Sequence, residues 1–274
     1  MAEQPGESGY AAGHDQHQPP EHLAALQAAR AELVRLEELL CRGKHPVSTA
    51  IAATASGMPA WLRATKGEQR WVVTAAIAVA VVLQVVLPGR LAFRPHWLLP
   101  ALEVALVAVL IGINPVRITR EHPWLRPLSI SLIALISLAN GWSAALLVLD
   151  LLTARAGDDP GPLFGSGGAI WLTNVIAFAL WYWEYDRGGP VARALAKRTS
   201  PDFRFPQMEE PAEHPDWEPY FLDYFYLSFT NATAFSPTDV MPMSRWAKML
   251  MLCQSAVSLI TLAVVISRAV SLFK

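Results

Sequence analysis

The chain is 274 residues long, 53% hydrophobic and only 16% charged, against roughly 25% charged residues in an ordinary soluble domain. That apolar excess points to lipid, while a net charge of -1 gives no basis for nucleic-acid binding, which needs a concentrated basic surface that releases counterions. The two cysteines, Cys41 and Cys253, lie too far apart for a disulfide framework or a metal-ligand spacing.

Residues 1–20 are rich in Gln, Glu, Gly, His and Pro. They lack the apolar core of a signal peptide and cannot bury enough surface to offset chain entropy, so a disordered polar arm is expected. Within residues 21–44, Leu26, Ala29, Leu33, Leu36 and Leu40 alternate at spacings of three and four. The pattern predicts a helix, either amphipathic and packed on protein or headgroups, or a short self-associating coiled coil. Residues 45–70 link it to a membrane region spanning residues 71–185.

That region contains four apolar runs, Trp71–Pro88, Trp97–Asn114, Ser129–Leu152 and Gly167–Trp183. Each approaches the ~20 residues that cross a ~30 Å hydrocarbon core as a helix. Short connections such as Gly89–His96 force neighbouring helices to run antiparallel. Trp71, Trp97, Trp171, Trp181, Tyr182 and Trp183 gather at run ends, where rings with a polar tip anchor in the headgroup layer. Residues 186–216 are charged and Pro-rich, which predicts a water-exposed loop. Residues 217–274 hold two more apolar stretches, Trp217–Ser236 and Met249–Ile266. The expected fold class is all-α, a polytopic transmembrane bundle of about six membrane segments with an N-terminal amphipathic helix.

Orientation follows from Lys and Arg placement. With a cytoplasmic N-terminus and six spans, thirteen basic residues of the connecting segments fall in the cytoplasm and five outside, as the positive-inside rule requires.

The stretch from Asp223 to Asp239 reads Asp-Tyr-Phe-Tyr-Leu-Ser-Phe-Thr-Asn-Ala-Thr-Ala-Phe-Ser-Pro-Thr-Asp and precedes an apolar helix. It resembles the pore module of potassium channels: an aromatic pore helix, a Thr-containing turn, an Asp, then an inner helix. Its Ser-Phe-Thr and Phe-x-x-x-Asp elements are also similar to the C-terminal part of an uncharacterised family of bacterial integral membrane proteins. The likeness covers roughly the last sixty residues and implies residence in a bacterial inner membrane. A potassium filter, however, uses glycines to turn successive carbonyls toward the ion. Here Thr233 to Asp239 contains no glycine, and Pro237 fixes its own φ and restricts Ser236. A potassium-selective filter is not expected.

Two geometries fit Trp217–Ser236, an ordinary span or a re-entrant hairpin. As a helix it places Asp223, Tyr226, Thr230 and Thr233 on one face. That stripe, with Asp239 as a candidate mouth residue, is the expected permeation seam. Glu103 lies six residues inside its run, where a carboxylate must be paired, protonated or wet, and Gln84 stands at a similar depth on the preceding antiparallel helix. Asn140 and Asn174 read as helix-to-helix adhesion; Asp150, Glu184 and Asp186 read as solvated helix ends.

No zinc-protease, phosphate-loop, nucleophile-elbow or Cys-x-x-Cys motif is present, so no enzyme, cofactor or metal site is expected. The partners expected are the lipid bilayer and further copies of the chain. The leading function is ion permeation or transport through the polar seam. The alternative is a non-transporting scaffold that recruits a partner through the N-terminal helix.

Overall fold

Helices follow the apolar runs but overrun them. The computed structural model describes Glu32 and residues 58–113, 124–153, 160–234 and 239–272. The polar arm, the Leu26–Leu40 seam, Cys41 and residues 235–238 lie outside the described residues. Two units divide the chain, Met1–Gly57 and Met58–Lys274; in the first only Glu32 is described, helical and exposed.

In the second unit the helices are α1 (Arg70–Val86), α2 (Leu98–Ile113), α3 (Leu125–Leu152), α4 (Pro160–Tyr185), the short α5 (Pro190–Ala194), α6 (Phe221–Ala234) and α7 (Arg245–Leu272). Helix α4 begins seven residues before its apolar run. Pro160 and Pro162 occupy its first turn, where a missing N–H costs nothing. Helix α7 extends past its run at both ends because Arg245, Lys248 and Arg268 are tolerated where a helix leaves hydrocarbon.

Three helices are long and apolar enough to cross a membrane: Leu125–Leu152, Gly161–Gly188 and Arg245–Arg268. The apolar helices Arg70–Val86 and Leu98–Ile113 are shorter. The protein is thus mostly helical, with helices fit for a bilayer, and the all-α expectation holds at that level.

Contacts fix the directions. Asn174 on α4 donates to Ser258 of α7 at 3.1 Å, Tyr182 donates to Gln254 at 2.6 Å, and the Tyr185 and Trp246 rings lie 5.4 Å apart. Helices α4 and α7 are therefore antiparallel. At their far ends, a Cβ on Gly167 would stand 2.8 Å from a Val265 methyl, so only glycine permits this approach.

Helix α6 also runs antiparallel to α4. Phe221 meets Trp183 with ring centroids 6.2 Å apart, Ser228 donates to the Val175 carbonyl at 2.6 Å, and Phe229 meets Trp171 at 5.6 Å. With 14 residues at ~1.5 Å each it is ~21 Å long, short of a ~30 Å core. Continuing that register places Ala234 beside the Gly167–Gly168 turn of α4.

The chain then comes back. Strand β1 (Phe203–Arg204) pairs antiparallel with β2 (Met241–Pro242), with Phe203 opposite Pro242 and Arg204 opposite Met241. The Met243 N–H donates to the Asp202 carbonyl at 2.8 Å. Since β1 and the start of α6 both pack at the Asp186 end of the bundle, α6 enters and its chain leaves at that same end. Of Trp217–Ser236 the described helix is α6 alone, and β2 pairs at the end of the bundle where α6 begins.

The expectation of a water-exposed loop over residues 186–216 is corrected. Phe203, Phe205, Met208, Arg187 and Arg193 are buried, so the segment folds as a cap over the helix ends. Interspersed aromatic side chains supply the apolar area that a Pro-rich, charged composition conceals. Residues 58–69 join this cap: the Ala60 N–H donates to the Pro215 carbonyl at 2.8 Å, and Arg63 pairs with Asp216 at 2.6 Å.

Candidate functional site

The arrangement centred on α6 is held by two buried polar clusters, one at its entrance and one along its inner face. At the entrance Asp186 is 0% exposed. One of its carboxylate oxygens accepts from the N–H groups of Asp202 and Phe203 at 2.9 and 3.3 Å; the other accepts the Tyr224 hydroxyl at 2.5 Å and lies 3.8 Å from Arg187 Nε.

Arg187 donates to the Trp61 carbonyl, with its guanidinium 5.7 Å from the Trp61 ring, and its own N–H meets Asp202 Oδ2 at 3.0 Å. Its φ of 51° is a left-handed conformation, which turns the chain from α4 into the cap. Arg193 donates to the carbonyls of Trp183 and Asp186 at 2.6 and 3.0 Å and faces the Tyr224 ring at 5.0 Å.

Glu184 accepts Ser129 Oγ at 2.8 Å and lies 3.8 Å from Arg126. Glu68 accepts the Trp183 indole N–H and the Phe221 N–H, both at 2.6 Å; burial pushes its carboxyl above the usual range, against those two hydrogen bonds. The cluster joins α3, α4, the cap and the first turn of α6, so that its buried charges have opposite charges and hydrogen-bonding groups beside them.

Along the inner face, Gln254 of α7 is 0% exposed. Its amide nitrogen donates to the carbonyl and hydroxyl of Ser228 at 2.9 and 2.6 Å; its oxygen accepts Tyr182 and Asn231 at 2.6 and 2.9 Å. Asn231 also donates to the Met251 carbonyl at 3.1 Å and accepts Ser255 Oγ at 3.2 Å. One side chain therefore ties three helices together.

The inner face of α6 is thus Phe221, Tyr224, Ser228 and Asn231, and the expected seam is its outer face. Asp223 is half-buried and receives the Tyr220 N–H at 2.8 Å, a helix-start contact. Tyr226 is 53% exposed. Thr233 is exposed and Thr230 half-buried, and their hydroxyls donate back to the Phe229 and Tyr226 carbonyls at 2.9 and 3.0 Å. Asp239 lies exposed before β2. The five are not gathered inside one protomer, and Glu103 stands apart on α2, wholly buried.

Sequence reasoning missed Asp186, Glu184, Arg187 and Arg193, because residues at helix ends default to solvent. The adjacent Gly188 and Gly189, with φ of 87° and 99°, are the one sequence signal of a tight turn. Tyr182 and Trp183 are buried instead of anchoring in headgroups, since their polar tips find Gln254 and Glu68. Trp71 and Trp97 stay exposed.

Chemically, α6 offers an outward stripe of hydroxyls and a carboxylate, and a C-terminus whose last carbonyls carry partial negative charge. No group of metal-ligating side chains occurs among the described residues. No protein-family model, curated protein or solved structure matches the chain.

Proposed function

We propose that this chain is an ion-conducting protein of a bacterial inner membrane, in which five helices cross the bilayer and α6 enters and leaves from one side. The observation that carries this reading is that α6 begins at the Asp186 end of the bundle and β2, which follows it, pairs with β1 at that same end. A helix that stops at membrane depth leaves carbonyls where lipid offers no donor, a cost tolerated only against protein or a water-filled path. Half-helix C-termini at that depth favour cations, as do the Asp223 and Asp239 carboxylates.

The outer stripe of Tyr226, Thr230 and Thr233 is ill suited to lipid. Copies of the chain arranged with these faces toward one axis would enclose the path. Without glycines between Thr233 and Asp239 the path has no potassium-type filter, so weak selection among monovalent cations is expected. Among the described residues, eleven Lys and Arg lie on the Asp186 side and three on the other, a bias that supports a cytoplasmic entrance of α6 and a C-terminus outside.

The test combines cation flux in liposomes with sidedness reporters at residues 1 and 274. Conduction predicts flux above empty vesicles, reduced by Asp223→Asn, and reporters on opposite sides. Reporters on one side sink the re-entrant topology. Flux equal to empty vesicles sinks conduction and leaves the scaffold role.

A further inference from the structure

Glu103 is the sole ionisable residue of α2 and is 0% exposed. Neither of its carboxyl oxygens has a hydrogen-bond partner. Gln84 stands opposite on α1 and interacts with the carboxyl, yet the Gln84 amide nitrogen is also out of hydrogen-bond geometry. Three buried polar atoms thus face one another without a bond. Such groups call for an explanation, because each forfeits hydration and recovers nothing.

We propose that Glu103 and Gln84 form a proton-binding site within the packing of α1, α2 and α3, independent of the α6 path. The chemistry is specific. A neutral carboxylic acid carries one O–H donor and one C=O acceptor, and a primary amide carries the same pair reversed. A small rotation of either side chain closes two hydrogen bonds, acid O–H to amide oxygen and amide N–H to acid carbonyl. The ionised carboxylate can make only the second of these and must sit charged among apolar side chains. Protonation therefore governs whether α1 and α2 are bonded here.

No charged group competes. Helix α2 packs on α1 and α3. At this end α1 presents Gln84 and the apolar Ala80. The buried polar residues of α3 are Asn140 and Ser143, neither of them titratable. The charged or titratable groups at this rim are Arg90, Arg94, His96 and Asp150, of which Arg90 and Asp150 lie 3.8 Å from each other. Two side chains also supply too few oxygens to replace the hydration shell of a hard inorganic cation.

The test is infrared difference spectroscopy of the full-length protein in lipid, with Glu103→Gln as the isosteric comparison. The expected result is a protonated-carboxyl C=O band at neutral pH that Glu103→Gln removes. Gln84→Leu, which keeps the acid and deletes its partner, should shift the same band toward the frequency of a free acid. Sodium at constant pH should leave the band unchanged. A parent spectrum identical to that of Glu103→Gln at neutral pH overturns the proposal, and so does loss of the band on adding sodium, which would make the occupant a metal cation. If Glu103→Gln does not fold, an unshifted band in Gln84→Leu overturns it alone.

Discussion

Replacing Gln254 by leucine removes a side chain that bonds both α4 and α6 to α7 while nearly preserving volume. Four hydrogen bonds are lost, two to Ser228 and one each to Tyr182 and Asn231. Ser228 keeps the Val175 carbonyl and Asn231 keeps the Met251 carbonyl, so the Tyr182 hydroxyl is the group left without its partner. Side-chain hydrogen bonds inside membrane bundles contribute about 0.6 kcal/mol each, and stranding a buried hydroxyl adds about 1–3 kcal/mol. The expected destabilisation is about 3–5 kcal/mol, read by reversible unfolding in mixed micelles. The cost falls on α6, whose second half is then held to α7 through Asn231 with Met251 and Ser255. A cysteine at position 233, with Cys41 and Cys253 replaced by serine, should then react faster with a water-soluble maleimide. A destabilisation below about 0.5 kcal/mol with unchanged labelling would refute the idea that this network holds α6 in place.

Asp186→Ala leaves Arg187 buried without its carboxylate and the Tyr224 hydroxyl without its acceptor, and should cost about 3–5 kcal/mol, measured by the same unfolding assay; Asp186→Asn should recover part of it by still accepting the Asp202 and Phe203 N–H groups. Gly167→Ala drives a Cβ to 2.8 Å from Val265 and should cost about 1–3 kcal/mol. Adding Val265→Ala should return at least half of that loss, and failure of the rescue would count against the close approach of α4 and α7. Burial raises the Glu68 carboxyl above its ordinary 4.5 in the folded state, so the folded protein binds the proton more readily than the unfolded chain. Its contribution is fully present at acid pH and declines as pH rises from about 4.5 through the raised folded value. Thermal unfolding of Glu68→Gln from acid to neutral pH should show a shallower decline than the parent, and an equal slope would contradict the assignment.

Hydropathy by itself determined the all-α class, the positions of α1 to α4 and α7 to within about two helical turns, and the similar depth of Glu103 and Gln84. These depend on local composition and on antiparallel neighbours joined by short loops, which leave few alternatives. The fate of α6 was not legible, because fourteen helical residues and twenty apolar ones look alike until a distant strand pairs with the exit. Facing was equally hidden. The stripe of Asp223, Tyr226, Thr230 and Thr233 and the stripe of Tyr224, Ser228 and Asn231 are both polar and both helical in period, and only Gln254, from a different helix, selects the second as the interior. The buried charges of Asp186, Arg187 and Arg193 required tertiary structure for a similar reason. A charged residue is cheap inside only when its partners arrive from elsewhere in the chain, and no local pattern records that arrival.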